Sequence, residues 1–419
     1  MKQEIIRQTE YIIHKSRLKG IKNLPAALEH KFGSSILRWF VSKVIEDTIH
    51  IELTLWETEA NKFSGNISET FFPGNTAILN IIPTGIGCDI GGYAGDAAPA
   101  NCLLASCADY VITNPNTVNG SNFISITDNT LYVEGYLIDL FCQGTINLYA
   151  PYSNHIGLII EKTSEENIET VLNIANAVRA VHGINIEHHV VTDELIGGRC
   201  VQNKSGAYVG NVDNPRTLFK ACETLIKKRV NAIAVTSNIK DLPLDNYARH
   251  FQGAHPNPIG GTEAIISHLI CKKYKLPAAH APMINVKRLD LASNIVDARS
   301  AGEFASTSGI ACAMIGLKKS PQIHLNCRIK NIFNINNLLA IVAPATALGG
   351  IPMIYAQIHD IPIIAVANNK SILNVGKSHL DLKNVYEVGN YFEAAGVIQA
   401  LKSGLNISSI YRPIPTLRD

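Results

Sequence analysis

The sequence predicts an α/β protein with predominantly parallel, doubly wound (Rossmann-like) sheets, two lobes and an N-terminal helical extension. Apolar, β-rich runs alternate with segments of helical periodicity along most of the chain, which is typical of parallel strands covered by helices on both faces. About ten such runs are present, which is more than one ordinary sheet holds. The chain has 419 residues, a length that usually exceeds a single hydrophobic core.

The first part of the chain, residues 1–47, is predicted to be helical. Apolar residues recur at helical spacing in EIIRQTEYIIHK, and a second stripe passes through Leu37, Phe40 and Val44. The next segment, HIELTLWET, alternates apolar and polar residues as a half-buried strand does. Residues 1–70 are therefore interpreted as a helical extension with a leading strand, which would either cap a lobe or form a contact in a homo-oligomer.

The main body begins near residue 71 and is predicted to form two lobes. Residues 71–255 make the first α/β lobe, with a hairpin insertion near 130–150, and residues 256–419 make the second. The predicted strands are AILNIIP, DYVITN, HIGLIIE, IEHHVVTD, NAIAVTS, PAAHAP, ACAMIGL, LAIVAP, IPIIAVAN and NVYEVG. The predicted helices include SEENIETVLNIANAVRAVHG with Ser164 as its N-cap, NPRTLFKACETLIKKR and GGTEAIISHLICKKY. Ligands in such folds bind beyond the carboxyl ends of the strands, so the loops there are the candidate sites.

Composition narrows the classes of partner. The chain has 37 Lys+Arg against 35 Asp+Glu, a formal charge of +2, and no basic tract dense enough to neutralise a run of phosphates, so nucleic acid is not expected as a partner. Nine cysteines without a CxxC pair do not indicate a disulfide framework or a zinc ribbon. No signal-peptide core and no run of 18 apolar residues is found, so a cytoplasmic protein without a membrane partner is expected.

The densest candidate site is the glycine loop PTGIGCDIGGYAGDAAPAN, which directly follows a predicted buried strand. Its glycines let the backbone approach a ligand, and the helix that follows offers unsatisfied N–H groups to an anion. Three interpretations stay open: an anion or substrate loop, a dinucleotide loop because Gly85, Gly87 and Gly91 fit GxGxxxG, or glycines that permit tight packing. Asp89 and Asp96 are candidate helix caps, acid/base groups or metal ligands.

A second candidate region, HFQGAHPNPIGGTEAIISH followed by LPAAHAP, holds the acid/base candidates. His255 and Asn257 lie in a Pro/Gly-rich loop, Glu263 falls in the first turn of a helix where it also suits the helix dipole, and His280 ends a short buried strand. His268 reads as a half-buried helix residue. A divalent metal held by His255, Glu263 and His280 is an alternative, but neither HxH nor HExxH spacing supports it, so no metal is predicted and no cofactor is assigned.

Polar loops after the other strands complete the predicted substrate contacts. They offer hydrogen-bonding side chains and glycines that admit a close approach; the loop around Ser205 is interpreted as a lid, and Thr346 as the cap of a helix that begins near Ala347. The predicted substrate-binding residues are Thr84, Gly85, Gly87, Asp89, Gly91, Gly92, Asn114, Asn116, Asn119, Ser205, Asn257, Gly260, Gly261, Thr346, Gly349, Gly350 and Asn368. The predicted catalytic residues are Asp96, His255, Glu263 and His280.

The blocks PTGIGCDIGGYAGDAAPAN, ITNPNTVNGSN, LYVEGYLID, GGTEAIISHL and AHAP occur in this order and resemble the signature blocks of domain-of-unknown-function family 3326. The resemblance spans roughly residues 75–370, leaves out the N-terminal extension and implies no particular reaction. It places the following residues in signature blocks: Gly85, Gly87, Gly91, Gly92, Asp96, Asn116, Asn119, Glu263, His268 and His280. The resemblance thereby adds weight to His268.

Three functions compete at this point. The first is an enzyme that acts on a small anionic metabolite, a carboxylate or phosphate ester, by general acid/base chemistry in a cleft between lobes. The second is a non-catalytic metabolite-binding or regulatory protein, and the third is a dinucleotide-dependent oxidoreductase. The sequence contains neither GxxxxGK[ST] nor GxSxG, which disfavours P-loop and serine-hydrolase chemistry.

Overall fold

The computed structural model describes residues 5–57, 76–120, 123–283, 295–305, 309–324, 332–414 and 416–417. Its strands are β1 (Ile5–His14), β2 (Ile36–Ile45), β3 (Thr48–Glu57), β4 (Ala77–Asn80), β5 (Tyr110–Thr113), β6 (Asn119–Gly120), β7 (Phe123–Ile124), β8 (Thr130–Tyr132), β9 (Asn147–Tyr149), β10 (His155–Ile160), β11 (Asn185–Val191), β12 (Gly198–Gln202), β13 (Tyr208–Val212), β14 (Ala232–Ser237), β15 (Ile239–Lys240), β16 (Ala278–Pro282), β17 (Gln322–His324), β18 (Ile332–Phe333), β19 (Leu338–Pro344), β20 (Ile363–Val366) and β21 (Val385–Val388). Its α-helices are α1 (Leu24–Phe32), α2 (Ala98–Ala105), α3 (Gly135–Cys142), α4 (Glu165–His182), α5 (Pro215–Ile226), α6 (Leu244–Phe251), α7 (Gly260–Tyr274), α8 (Ala301–Ala305), α9 (Ile310–Leu317), α10 (Ile351–Ile358) and α11 (Tyr391–Lys402).

The largest sheet has six parallel strands in the order β21-β20-β19-β4-β5-β8. The chain enters this sheet in the middle at β4 and moves outward through β5 to β8. It later returns to the middle at β19 and moves outward on the other side through β20 to β21. The direction of strand order reverses between β4 and β19, and ligands bind near such a reversal in open α/β sheets.

The second parallel sheet has four strands in the order β11-β10-β14-β16. Both parallel sheets therefore confirm the α/β class. Each sheet contains strands from both sides of residue 255, so a boundary at that residue does not separate one sheet from the other. Alternate residues of the central strands are buried on opposite faces; Ile78 packs in one apolar cluster and Leu79 in another, as the continuous apolar runs predict.

The N-terminal segment is a sheet, and the prediction of a helical extension is wrong for most of its length. Strands β1 and β2 pair antiparallel with the two edges of β3, and within residues 5–57 only α1 is an α-helix. A neighbouring strand covers each edge of β3, and nearly all residues of β3 are buried, including Glu52 and Thr54. That sheet pairing overrides the helical spacing of the apolar residues, because strand preference depends on the packing partners.

This N-terminal sheet docks on the loop that follows β19 of the six-stranded sheet and on the turn between β12 and β13. The Val41 N–H donates to the Gly349 carbonyl at 2.9 Å. The Glu52 carboxylate accepts from the Asn203 side chain at 2.7 Å and from the Ser205 N–H at 3.2 Å. These contacts bring β2 beside the loops that follow the strands of the six-stranded sheet.

Three further predictions need correction. The segment ACAMIGL forms α9 and not a strand, as its Ala and Met residues favour. The segment near 130–150 is not a hairpin but contains β8, α3 and β9. The Glu134 side chain caps α3, and β9 pairs with β17 and β18 and not with β8. The predicted lid around Ser205 is the turn of the β12–β13 hairpin, which is held against Glu52.

Candidate active site

A cavity of about 200 Å³ lies beyond the carboxyl ends of strands from both parallel sheets. Residues that follow β4, β5 and β8 form one side, and the last residues of β16 with the first turns of α7 form the other. Strand β2 of the N-terminal sheet adds Arg38. A smaller cavity of about 50 Å³ adjoins it and shares Arg38 and Thr84 in its wall.

Three carboxylate–imidazole pairs surround the larger cavity, and the first is Glu134 with His268. Glu134 follows β8 and caps α3, where one carboxylate oxygen accepts from the Tyr136 N–H at 2.8 Å. The other oxygen contacts Nδ1 of His268 at hydrogen-bond distance, and both side chains are buried. Because a carboxylate can only accept, Nδ1 carries the proton and Nε2 is left as the free ring nitrogen. Nε2 has no partner among the described residues.

The second pair is Glu263 with His280, and it continues to Ser237. Nδ1 of His280 lies 3.5 Å from the Glu263 carboxylate, and Nε2 lies 2.8 Å from the Ser237 hydroxyl. The His280 side chain is fully buried, whereas that of Glu263 is 24% exposed. Glu263 lies in the first turn of α7, where the helix dipole stabilises a carboxylate. Ser237 is fully buried, so it supports the imidazole and is not placed to attack a ligand.

The third pair, Glu303 with His250, organises the loops of the cavity. The Glu303 carboxylate accepts from the Ala94 N–H at 2.6 Å and lies 3.1 Å from Nε2 of His250. Nδ1 of His250 faces the His255 carbonyl at 3.2 Å. Both ring nitrogens of His250 therefore face an acceptor oxygen. Both can donate a hydrogen bond when the imidazole carries a proton on each nitrogen. The ring stacks on Tyr93 at 4.5 Å.

Arg38 is the cation of the site. Its guanidinium makes no hydrogen bond or ion pair to any residue in the described ranges, although it lines both cavities. It acts electrostatically on Asp139, whose pKa is raised to about 7 by burial, with Arg38 opposing that rise. A guanidinium without a protein partner at a cavity suits a carboxylate or a phosphate, because its planar fork matches either group.

Buried tyrosines complete the wall with neutral hydroxyl groups. Burial raises the pKa of Tyr93 to about 12 and the pKa values of Tyr132 and Tyr247 above their ordinary range. All three residues line the larger cavity. They therefore remain protonated at neutral pH and can donate a hydrogen bond to a ligand.

Eight of the predicted residues reach the larger cavity together with His268. They are Thr84, Gly92, Asn114, Asn116, Asn257, Gly260, Glu263 and His280. Asn114 also holds the preceding loop, since its side chain accepts from the Ile82 N–H at 3.0 Å and donates to the Ile82 carbonyl at 2.9 Å. Gly261, Gly349 and Gly350 line the smaller cavity.

The glycine loop is packed against protein rather than opened to a ligand. Gly85 has φ +76° and leaves only 2.3 Å between a would-be Cβ and the Tyr208 carbonyl oxygen, and Gly91 has φ +86° and lies against Ile82. Gly87 lies in the same way against Pro256. Of the three interpretations of this loop, tight packing accounts for these positions.

Asp96, a predicted acid/base residue, faces its own loop. Its carboxylate accepts from the N–H groups of Gly91 at 2.9 Å and Tyr93 at 3.1 Å. Burial raises the pKa of Asp96 to about 6, while the two backbone hydrogen bonds oppose that rise. Asp96 therefore shapes the loop and does not line either cavity.

The remaining predicted residues lie away from the cavities. The His255 ring faces the Pro256 carbonyl at 3.0 Å and the Tyr208 ring, so the described residues do not bring His255, Glu263 and His280 together as metal ligands. Thr346 contacts the Ser371 hydroxyl at 2.9 Å and does not cap α10, which begins at Ile351. The others outside the cavity walls are Asp89 and Asn368, which are exposed, and Ser205; the side chain of Asn119 lies outside the described part of the chain.

Arg38, Glu134 and Glu303 are the residues that sequence reasoning missed. Glu134 could have been recognised from the sequence. It follows a strand in the block LYVEGYLID, and polar residues directly after a parallel strand are candidate ligand contacts. Arg38 reaches the site only through the docking of the N-terminal sheet. Glu303 comes from a short helix without a distinctive motif.

The chain is similar to known proteins over most of its length. The family model described as "Protein of unknown function (DUF3326)" matches residues 76–411. The chain belongs to this family. A protein of Synechococcus sp. described as an uncharacterized lipoprotein is 35% identical over 341 residues, which cover 80% of this chain and 93% of that protein. The matched range includes every residue of the three carboxylate–imidazole pairs but not Arg38.

None of the described helices combines the length and the apolar character that a membrane span requires.

Proposed function

We propose that this member of the family is an enzyme that binds a small anionic metabolite, a carboxylate or a phosphate ester, and transfers a proton on it by general acid/base chemistry. One observation carries the proposal: two imidazoles that line one cavity, His268 and His280, each pair with a glutamate and each keep one ring nitrogen without a hydrogen bond. Buried polar groups are almost always paired in folded proteins, and an unpaired one costs about 1–3 kcal/mol. For His268 the unpaired nitrogen is Nε2, which does not face Glu134, and a bound ligand would supply its partner. For His280 it is Nδ1, which faces Glu263 at 3.5 Å, so a proton that Glu263 takes from the ligand would complete that contact.

Arg38 supports the anionic character of the ligand. It is the cation in the cavity wall, and its guanidinium makes no hydrogen bond or ion pair in the described ranges, although it acts electrostatically on Asp139. The three carboxylates of the wall each have an imidazole beside them, so their charge is balanced when the imidazole is protonated. Arg38 is therefore free to bind the acidic group of the metabolite and to fix its orientation.

Glu263 is the group best placed to move a proton. Its carboxylate is the most exposed of the three and lines the cavity, with His280 directly behind it. As a base, Glu263 would accept a proton from the ligand, and the nearby imidazole would stabilise or relay that proton. His268, held by Glu134 with Nε2 free, is a second acid/base group in the same wall. Two such groups fit isomerisation, elimination or hydrolysis.

The size of the cavity favours a small metabolite over a dinucleotide. Its volume is about 200 Å³, below the range of roughly 300–1,000 Å³ found for sites of drug-sized ligands. Together with the packed glycines, this volume argues against the dinucleotide-dependent alternative.

The test is a thermal-shift panel of small carboxylates, phosphate esters and dinucleotides, followed by NMR detection of product for every compound that binds. Binding to the native state raises the melting temperature. We expect a shift with one class of small anion that Arg38→Gln removes and that Arg179→Gln, on the exposed face of α4, leaves unchanged. Binding without product after long incubation would instead favour the non-catalytic binding protein. A shift with NADH or NADPH alone would overturn the proposal.

We further propose that this activity is cytoplasmic. Seven described cysteines form no disulfide, as is usual in a reducing compartment: Cys88, Cys102, Cys107, Cys142, Cys200, Cys222 and Cys271. The word lipoprotein describes the cyanobacterial relative. Fractionation of the source cells tests the proposal, and recovery of the chain in the membrane fraction, released only by detergent, would contradict it.

A further inference from the structure

A second cluster of ligating side chains lies at the opposite end of the four-stranded sheet from the cavity. His155 is the first residue of β10, and Glu187 and His188 lie in the neighbouring edge strand β11. One ligand atom from each of the three side chains lies within 4.8 Å of the others, and within the described residues no other cluster of His, Cys, Asp or Glu meets this criterion. No residue of β10 or β11 lines the cavity, whose wall takes only the last residues of β16 from the strands of this sheet, so this cluster is separate from the active site.

An irregularity in the sheet creates the cluster. Adjacent residues of a strand normally point to opposite faces, so Glu187 and His188 should diverge. The pairing of β10 with β11 shifts between His155 and Gly157. His155 pairs with Asn185 and Gly157 pairs with His188, so β11 contains one extra residue at this point. Such a bulge redirects a side chain.

The core packing on either side of the bulge shows which way the side chains turn. Ile186 packs with Ile156 in one apolar cluster, whereas Val190 packs against the cluster on the opposite face. Because side chains alternate along a strand, Glu187, next to Ile186, points to the face opposite Ile156. His188, two residues before Val190, points to the same face as Val190, which is also the face opposite Ile156. His155, next to Ile156, is directed to that face as well.

The contacts within the cluster are incomplete in a way that a cation would complete. Nε2 of His155 is buried without a hydrogen-bond partner, and the Glu187 carboxylate lies 4.0 Å from it, beyond hydrogen-bond distance. The rings of His155 and His188 are 5.6 Å apart. A tetrahedral zinc ion with bonds of about 2.0–2.1 Å requires ligand atoms roughly 3.4 Å apart, so small side-chain rotations would close the site.

We propose that His155, Glu187 and His188 form a zinc site that ties the edge strand β11 to β10. Two imidazoles and one carboxylate are ligands that zinc accepts, whereas calcium and magnesium prefer sites made of oxygen atoms alone. Three protein ligands leave the fourth position to water. The site is independent of the proposed enzymatic function, since it shares no residue with the cavity.

The experiment is calorimetric titration of ZnCl₂ into the full-length protein after EDTA treatment and desalting, with cobalt(II) absorption as the spectroscopic readout. His189→Ala is the matched control. His189 is exposed and lies directly before Val190, so alternation along the strand points it away from the proposed zinc ligands. Loss of an outer-shell partner already weakens metal sites by about 10–100-fold, so His188→Ala is expected to weaken binding by more than about 100-fold. Wild type and His189→Ala should bind one equivalent and show tetrahedral cobalt bands.

Two results would overturn the proposal. One is equal zinc affinity in His188→Ala and wild type. The other is cobalt absorption dominated by thiolate charge transfer, which would assign the metal to cysteines. If His188→Ala does not fold by circular dichroism, Glu187→Gln carries the test, because the Glu187 side chain is 60% exposed and its loss leaves the core intact. Unchanged affinity in that variant would equally refute the site.

Discussion

The position of Glu263 depends on the close contact of α7 with the β12–β13 hairpin, and Gly261→Ala tests that dependence. A methyl group on Gly261 would lie 2.5 Å from the Tyr208 carbonyl oxygen and 2.6 Å from the Val209 Cα. Carbon atoms in contact prefer about 3.5–4.0 Å, and backbone atoms cannot rotate away, so α7 must move by roughly 1 Å. Such overpacking costs about 1–3 kcal/mol, while the higher helix propensity of alanine offsets at most about 1 kcal/mol.

The expected result is a protein less stable by about 1–2 kcal/mol and a loss of turnover near 100-fold, because a 1 Å displacement of a catalytic group costs about that much. Urea unfolding and the rate with the identified metabolite measure the two effects. Gly396→Ala is the matched control, since Gly396 lies on the exposed side of α11 with nothing within 4 Å of a Cβ. That change should stabilise the protein by about 0.5–1 kcal/mol. If Gly261→Ala behaves like Gly396→Ala in both assays, the close packing does not position Glu263.

Two further outcomes are expected. Glu263→Gln should keep ligand binding and lower kcat by about 10²–10⁴-fold, whereas Glu165→Gln on α4 should change neither; equal rates in both variants would remove Glu263 from the chemistry. Burial raises the pKa of Asp139 from 3.8 to about 7, so between these values the unfolded state loses its proton first and stability falls as pH rises. Asp139→Asn should therefore flatten urea midpoints between pH 4 and pH 8, and an unchanged slope would contradict the assignment.

The parallel strands were predictable because they are buried on both faces and read as continuous apolar runs. β10, β14 and β19 illustrate this, as every residue of β14 is buried and the predicted segments cover β10 and β14 completely and β19 except for its first residue, Leu338. The N-terminal strands were not predictable in the same way. The apolar residues of β1 are Ile5, Ile6, Ile12 and Ile13, a spacing that fits a helix as well as a strand. Only pairing with β3, a contact between distant parts of the chain, decides between them.

The candidate site was predictable where position along a strand determines it. Glu263 and His280 follow from the rule that ligands lie beyond strand ends and at helix N-termini, and both reach the cavity. Asp96 and His255 satisfy the same rule but turn to backbone groups of their own loops. The direction of a side chain depends on hydrogen bonds to residues that the local pattern does not identify.

The pairing of the three carboxylates explains how a cavity with so many acidic groups can hold an anion. Glu303 faces an imidazole whose two nitrogens both meet acceptors, so this pair is neutral when His250 is protonated and serves to hold Ala94. In the other two pairs an imidazole likewise lies beside the carboxylate. Arg38 then provides a positive charge that no contact within the described residues neutralises. Binding and chemistry are in this way assigned to different groups: loss of Arg38 should raise KM, whereas loss of Glu263 should lower kcat, because only Glu263 acts on the reacting atom.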